Sequence, residues 1–281
     1  MKRIFLLALL TTGFFNAFTQ GSIAICHTSA TEKFAAFAAN ADFNADHPLP
    51  RVYTHVSQEG GKMISFKTLG GEDGKGYFIP AKTKTNNWIF VFQEWWGLND
   101  NIKRQSEQLY KELGNVNILA LDMYDGKLAT DRENASKYMQ EFKQERGDQI
   151  VKGALAYAGK NAKIGTVGWC FGGGQSLQAS LNLGAQAAGC VIYYGMPVDD
   201  VERLRTLKSD VLGIFASREK YITPEVVSKF ENNMKAAGKN LTVKSYDAEH
   251  GFANPSNPIY NKDAAEDAWK LTLDFFRKRL I

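Results

Sequence analysis

Three observations in this 281-residue chain predict an α/β fold with a mainly parallel, doubly wound sheet and an N-terminal β-hairpin. Apolar runs of strand length alternate with segments of helical character from Trp88 onward, a pattern that needs a sheet covered on both faces. Upstream, the alternating segments Met63 to Leu69 and Lys75 to Ile79 flank Gly70-Gly71-Glu72-Asp73-Gly74 and read as a hairpin. Near the middle, Gly168-Trp169-Cys170-Phe171-Gly172 closes one apolar run and opens a helical one, the pattern of a tight strand-to-helix turn.

At the N-terminus, Lys2 and Arg3 precede the apolar run Ile4 to Leu10, which continues loosely through Phe18 before polar Thr19 and Gln20. This is the order of a secretory signal, expected over residues 1–20, with export to the periplasm or beyond the cell. The run is too short to span a hydrocarbon core of about 30 Å, so no stable membrane anchor is expected after cleavage. A lipoprotein reading through Cys26 meets a bulky Ile25 where a small residue is wanted. Residues 21–50 are rich in Ala, Asn, Asp, Ser and Thr without sustained periodicity, and read as a tether or surface wrap. One domain is expected over residues 51–281, since no Pro or Gly/Ser-rich linker divides them.

Within that domain the expected strands after the hairpin are Trp88 to Phe92, Asn117 to Leu121, Lys163 to Val167, Ala188 to Tyr193, Val211 to Ala216 and Leu241 to Tyr246. A helix is expected from Gln175 to Leu183, with Gly173 and Gly174 as slack before it. Lys262 to Leu280 reads as a terminal amphipathic helix whose Ala265, Ala268, Trp269, Leu273 and Phe276 face the core. The formal charge of +4 falls to about +2 without Lys2 and Arg3, and the 34 basic residues are scattered among 30 acidic ones, so nucleic acid is not an expected partner. A monomer is expected. With no cluster of metal-ligand types at usable spacing, neither metal nor other cofactor is expected.

The residue at the centre of the tight turn must adopt a strained conformation, and its neighbours two positions away must lack a Cβ. Gly168 and Gly172 meet that need, leaving Cys170 as a nucleophile lifted above the sheet. A phosphate-cradling turn is the competing reading, but no Lys-Ser or Lys-Thr follows the glycines. In an open parallel sheet reactive groups gather beyond the carboxyl ends of the strands, where Glu94, Cys170, Glu219 and His250 all fall. Of the four histidines, His27, His47 and His55 precede the first crossover strand, so His250 alone reads as placed to act as base. Glu219 reads as the acid orienting it; Asp210 lies at the wrong end of its strand, and Asp247 and Glu249 stand in reserve.

A thiol needs a base or positive surroundings to become a thiolate. His250 and the dipole of the helix after Cys170 supply these. The N–H groups of Phe171 and Trp95 are the candidate oxyanion donors, and an acyl-thioester intermediate hydrolysed by water would follow. Trp95, Trp96, Tyr124 and Phe252 suggest an apolar-walled pocket for a small ester or lactone, with core packing as the plainer reading. Cys190, in an apolar run, reads as a buried structural thiol, and thiol redox chemistry lacks a C-x-x-C.

Together, Phe92-Gln93-Glu94-Trp95-Trp96-Gly97, Ala120-Leu121-Asp122-Met123-Tyr124, the Cys170 turn and His250-Gly251-Phe252 resemble the dienelactone hydrolase family of α/β-hydrolases, from about Lys62 to the C-terminus. The resemblance implies the α/β-hydrolase fold and a Cys-His-acid triad. It also implies that Glu94 pairs with the resting thiol and takes its proton when substrate binds. The family usually has Asp where Glu219 stands. Of two arginines that bind the substrate carboxylate in the better-known members, one is matched here by Asn254, and the other corresponds to Arg132 or to nothing, if Arg132 is a surface helix residue. The alternative to a hydrolase is a non-catalytic ligand-binding module that retains the fold.

Overall fold

The structure is a computed structural model and describes residues 29–281. The expected signal peptide, Cys26 and His27 lie outside the described residues.

The segment read as a tether or wrap opens with two short helices, α1 (Ala30–Phe37) and α2 (Ala41–Asp46). Ser29 and Glu32 cap α1 reciprocally, and Asn40 caps α2. Helices of this length are not stable alone. They are held by Phe34, Ala38 and Phe43, which are buried against the domain.

The hairpin follows as β1 (Lys62–Phe66) and β2 (Gly74–Ile79), paired antiparallel from Lys62 opposite Phe78 to Phe66 opposite Gly74. Then come β3 (Asn87–Phe92), α3 (Asp100–Leu113), β4 (Asn117–Leu121), α4 (Arg132–Glu141) and α5 (Gln144–Ala158). The chain continues through β5 (Lys163–Trp169), α6 (Phe171–Leu183), β6 (Ala187–Tyr193), α7 (Val201–Arg205), β7 (Val211–Ala216), α8 (Pro224–Ala236), β8 (Leu241–Tyr246) and α9 (Lys262–Leu280). Every segment expected as a strand is one; β3 to β7 are almost wholly buried, whereas β8 is half exposed at the edge of the sheet. Several bounds move: β1 shifts to Lys62–Phe66, β2, β3 and β6 each begin one residue earlier, β5 runs on to Trp169, and α6 begins at Phe171, so the Gly172-Gly173-Gly174 run is helix and not slack before it.

The eight strands form one sheet in the order β1-β2-β4-β3-β5-β6-β7-β8. β1 and β2 are antiparallel to their neighbours, and the rest are parallel. This is the mainly parallel, doubly wound α/β-hydrolase arrangement expected from the sequence. β3 pairs with β4 on one side and with β5 on the other, so the chain reverses its progress across the sheet at β3. Such a switch point opens a crevice beyond the strand ends. Glu94 and Cys170, from the ends of β3 and β5, are thereby brought to its two lips.

α9 buries Ala265, Ala268, Leu273 and Phe276 as its spacing predicts. Among the described residues, no helix is long and apolar enough to cross a membrane.

Candidate active site

The bend that carries the thiol is set by steric exclusion. Cys170 stands between β5 and α6 at φ 57°, a left-handed conformation that side chains other than glycine rarely adopt and that costs about 1–3 kcal/mol. A Cβ on Gly168 would lie 2.1 Å from the Gly172 carbonyl oxygen, and one on Gly172 would lie 2.3 Å from the Phe92 carbonyl oxygen. Only glycine lets α6 start so close above β3 and β5. The Cys170 N–H donates to the Tyr193 carbonyl at 3.0 Å, fixing the turn to β6.

His250 comes from the loop after β8, and its ring Nδ1 is hydrogen-bonded to Glu219 Oε2. The other Glu219 oxygen accepts the Tyr221 N–H at 3.1 Å, which holds the carboxylate in the turn after β7. Asp247 and Glu249 do not compete for the ring. Asp247 faces solvent and pairs with Arg218 at 3.3 Å, and Glu249 is exposed. Glu94 is buried after β3, where the Asn254 side-chain amide donates to it at 2.6 Å. Asn254, standing where the family resemblance suggests an arginine, is thus engaged in holding a carboxylate of the protein itself.

A ring nitrogen of His47, a ring nitrogen of His250 and the Cys170 sulfur lie within 4.8 Å of one another, all buried. The nitrogens concerned are taken to be the Nε2 atoms, because Nδ1 of His250 is engaged by Glu219 and Nδ1 of His47 donates to the Phe43 carbonyl at 2.6 Å. Both Nε2 atoms lack a hydrogen-bond partner among the described residues.

Electrostatics follow from burial and from the few charges present. Burial pushes the Cys170 thiol up, more than the neighbouring His250 pulls it down, and Glu94 pushes the same way. The resting sulfur is therefore a thiol. For Glu94 burial again dominates and raises its pKa to about 7, against the pull of His250 and Asn254. Burial would raise Glu219 too, but the His250 charge and hydrogen bond outweigh it and hold the carboxyl below its ordinary value. Burial opposes a charged His250, yet Glu219 and then Cys170 overcome it, and the imidazole is shifted well upward. His47 is driven down to about 3, by burial first and then by the His250 charge. Its neutral ring therefore carries the lone pair on Nε2.

The cavity between these groups is only about 10 Å³, barely one water, and its lining includes His47, Pro48, Glu94, Trp95, Trp96, Cys170, His250 and Asn254. Among the described residues, neither Lys nor Arg lines it. The structure thus brings together Cys170, His250, Glu94, Trp95 and Trp96, with Glu219 behind His250. Phe171 follows the sulfur and its backbone N–H favours the thiolate. Its ring packs tilted against buried Tyr124, centroids 5.4 Å apart, and Tyr124 lines a separate groove with Tyr138 and Phe142.

Besides Tyr124, two more residues read as substrate contacts lie outside this cavity. Phe252 is fully buried between Tyr194 and Tyr246, so it is core. Arg132 is exposed at the start of α4 and donates to the His47 carbonyl at 2.9 Å, a clasp on the N-terminal segment outside the cavity.

His47 itself was not legible as a site residue. It reaches the thiol because α2 lies across the crevice, with the Phe43 ring 5.5 Å from Trp95 and 4.8 Å from Tyr221. The one sequence signal for this is Ser29-x-x-Glu32, a capping-box pattern that announces a helix ahead of Phe34 and Phe37. His47, Cys170 and His250, three residues of metal-ligating type, come together from distant segments although their spacing in the sequence gives no sign of it.

The family model described as "Dienelactone hydrolase family" matches residues 75–280. The chain is 28% identical over 233 residues to Protein usf of Aquifex pyrophilus, covering 78% of this chain and 99% of that protein. It is 26% identical over 233 residues to a putative carboxymethylenebutenolidase of Aquifex aeolicus, with the same 78% and 99% coverage. A crystal structure of a dienelactone hydrolase-like promiscuous phosphotriesterase from metagenomic libraries superimposes with a TM-score of 0.68 at 20% identity, covering 79% of this chain and 99% of that one. The matched residues begin after α1 and α2, so His47 lies outside them.

Proposed function

The chain belongs to the dienelactone hydrolase family, and from that premise we propose that it is an exported hydrolase of small, uncharged carboxylic esters or lactones acting through Cys170. The observation that carries this is a buried sulfur on a strained bend, within 4.8 Å of an imidazole nitrogen whose ring is held from behind by a carboxylate.

The resting thiol needs a base, and two are at hand. Glu94, with a pKa raised to about 7, suits proton transfer at neutral pH and takes the thiol proton as substrate enters. The thiolate attacks the ester carbonyl, with the Phe171 and Trp95 N–H groups stabilising the oxyanion. The carbonyl–oxygen bond then breaks, the alcohol leaves with a proton from His250, and an acyl thioester remains on Cys170. His250, now neutral and oriented by Glu219, draws a proton from water, which attacks the thioester and releases the acid, while Glu94 returns its proton to the departing thiolate. A neutral acyl group is preferred because no Lys or Arg lines the cavity and the buried Glu94 repels a carboxylate.

Turnover of neutral aryl esters and lactones, with a thioester adduct visible by intact mass, is expected for wild type and lost in Cys170→Ala. Undiminished turnover by Cys170→Ala would sink the mechanism. The closed cavity favours a second reading, a non-catalytic module; it predicts no turnover by wild type and a slowly alkylated thiol. Export through the leader at residues 1–20 predicts a mature N-terminus near residue 20 in a periplasmic or extracellular fraction.

A further inference from the structure

We propose that His47, Cys170 and His250 form a binding site for a borderline-soft divalent cation, Zn²⁺, which pins the N-terminal helices α1 and α2 over the crevice. The claim rests on the geometry of three side chains and not on ester chemistry.

Three features converge. The ligand atoms are two imidazole nitrogens and a sulfur within 4.8 Å of one another, the donor set that zinc takes at about 2.0–2.1 Å for nitrogen and about 2.3 Å for sulfur. Both rings are already oriented as metal-binding histidines are: one Nδ1 donates to a backbone carbonyl, Phe43, and the other is engaged by a carboxylate, Glu219. Both Nε2 atoms are buried without a hydrogen-bond partner among the described residues, and a buried polar atom left so costs about 1–3 kcal/mol. A cation that displaces the Nε2 proton of His250 satisfies both.

The cavity also has the size of an ion and not of an ester, at about 10 Å³. Three protein ligands leave the fourth position of the tetrahedron to water or to Glu94, which lines the same space. Binding is redox-neutral: the thiol gives up its proton, a zinc–sulfur bond forms, and affinity therefore rises with pH. Because one ligand comes from the residue after α2 and two from the ends of the sheet, the metal closes the crevice. Zn²⁺ and substrate exclude each other.

The test is calorimetric titration of the chelator-treated full chain with ZnCl₂, and of His47→Ala and Cys170→Ala alongside it. The expected result is one Zn²⁺ per chain in wild type. Loss of a residue that only orients a metal ligand costs about 10–100-fold in affinity, so loss of the His47 ligand itself should cost at least about 100-fold. Co²⁺ should give a thiolate charge-transfer band in wild type that is absent in Cys170→Ala. Zn²⁺ should also slow amide exchange across residues 30–46 in wild type only, a readout that holds even if His47→Ala is poorly folded. Equal Zn²⁺ affinity in wild type and His47→Ala would reduce the site to an ordinary Cys-His pair and overturn the proposal. So would no binding at all, which would leave a water as the occupant. None of these readouts requires turnover, so a failure of the ester mechanism and a failure of the metal site are separately visible.

Discussion

Replacing Phe43 by Ala should open the crevice without unfolding the sheet. The ring is fully buried, and it stands 4.0 Å from His47, 4.8 Å from Tyr221 and 5.5 Å from Trp95, centroid to centroid. Truncating a buried Phe costs about 3–5 kcal/mol. The loss falls on docking of α1 and α2, since neither helix is part of the sheet and both are too short to persist undocked. At about 1.4 kcal/mol per factor of ten, the docked-to-open ratio should fall by roughly two to three and a half powers of ten. An ester cannot enter a cavity of about 10 Å³, so kcat/KM tracks the open fraction until that fraction saturates. The assay is twofold: the rate of Cys170 alkylation by iodoacetamide at fixed pH, and kcat/KM on a neutral aryl ester. Both should rise at least about tenfold in Phe43→Ala while the main melting transition persists. Unchanged alkylation together with a lowered melting temperature of the whole domain would refute the reasoning, because the helices would then be integral to the fold and no gate.

Three further outcomes follow from the site. Glu219→Gln removes the charge that supports a protonated His250, so kcat should fall by about 10²–10⁴, the usual contribution of general acid–base catalysis; a loss under tenfold in ester assays would dismiss Glu219 as the orienting acid. Glu94 is raised from 4.5 to about 7, so between those values the folded chain holds a proton that the unfolded chain has released, and stability falls as pH rises across that window, by about 3 kcal/mol. Turnover rises over the upper part of the same window as Glu94 becomes a base, and Glu94→Gln should flatten both the melting temperature and the rate against pH. Gly172→Ala would place a methyl 2.3 Å from the Phe92 carbonyl oxygen, between backbones that cannot yield cheaply, and should cost about 3 kcal/mol or more in urea denaturation; an unchanged midpoint would show that α6 can shift.

What could be read from the sequence and what could not divide along a physical line. The central parallel strands were legible because a strand buried on both faces is apolar throughout, and each lies between breaks in that pattern; β8, at the edge, keeps only part of it. The bend at Cys170 was legible because a strained turn demands glycines at fixed offsets, and the strand ends brought His250 and Glu219 to the same edge of the sheet without any knowledge of side-chain contacts. The N-terminal helices escaped because 8 and 6 residues give too few turns for a period to emerge, and their stability comes from three phenylalanines docking on a surface that exists only after the sheet has formed. His47 was not legible, and the two readings of Arg132 were left open, for one shared reason. Arg132 is held by the His47 carbonyl, and His47 is held by α2, so the place of each depends on a tertiary docking event. Chemistry at this site is therefore written locally, in residues that must sit at strand ends whatever surrounds them. Access to it is decided by a segment outside the residues that the family model matches, and a sequence pattern confined to those residues carries no information about when the crevice is open.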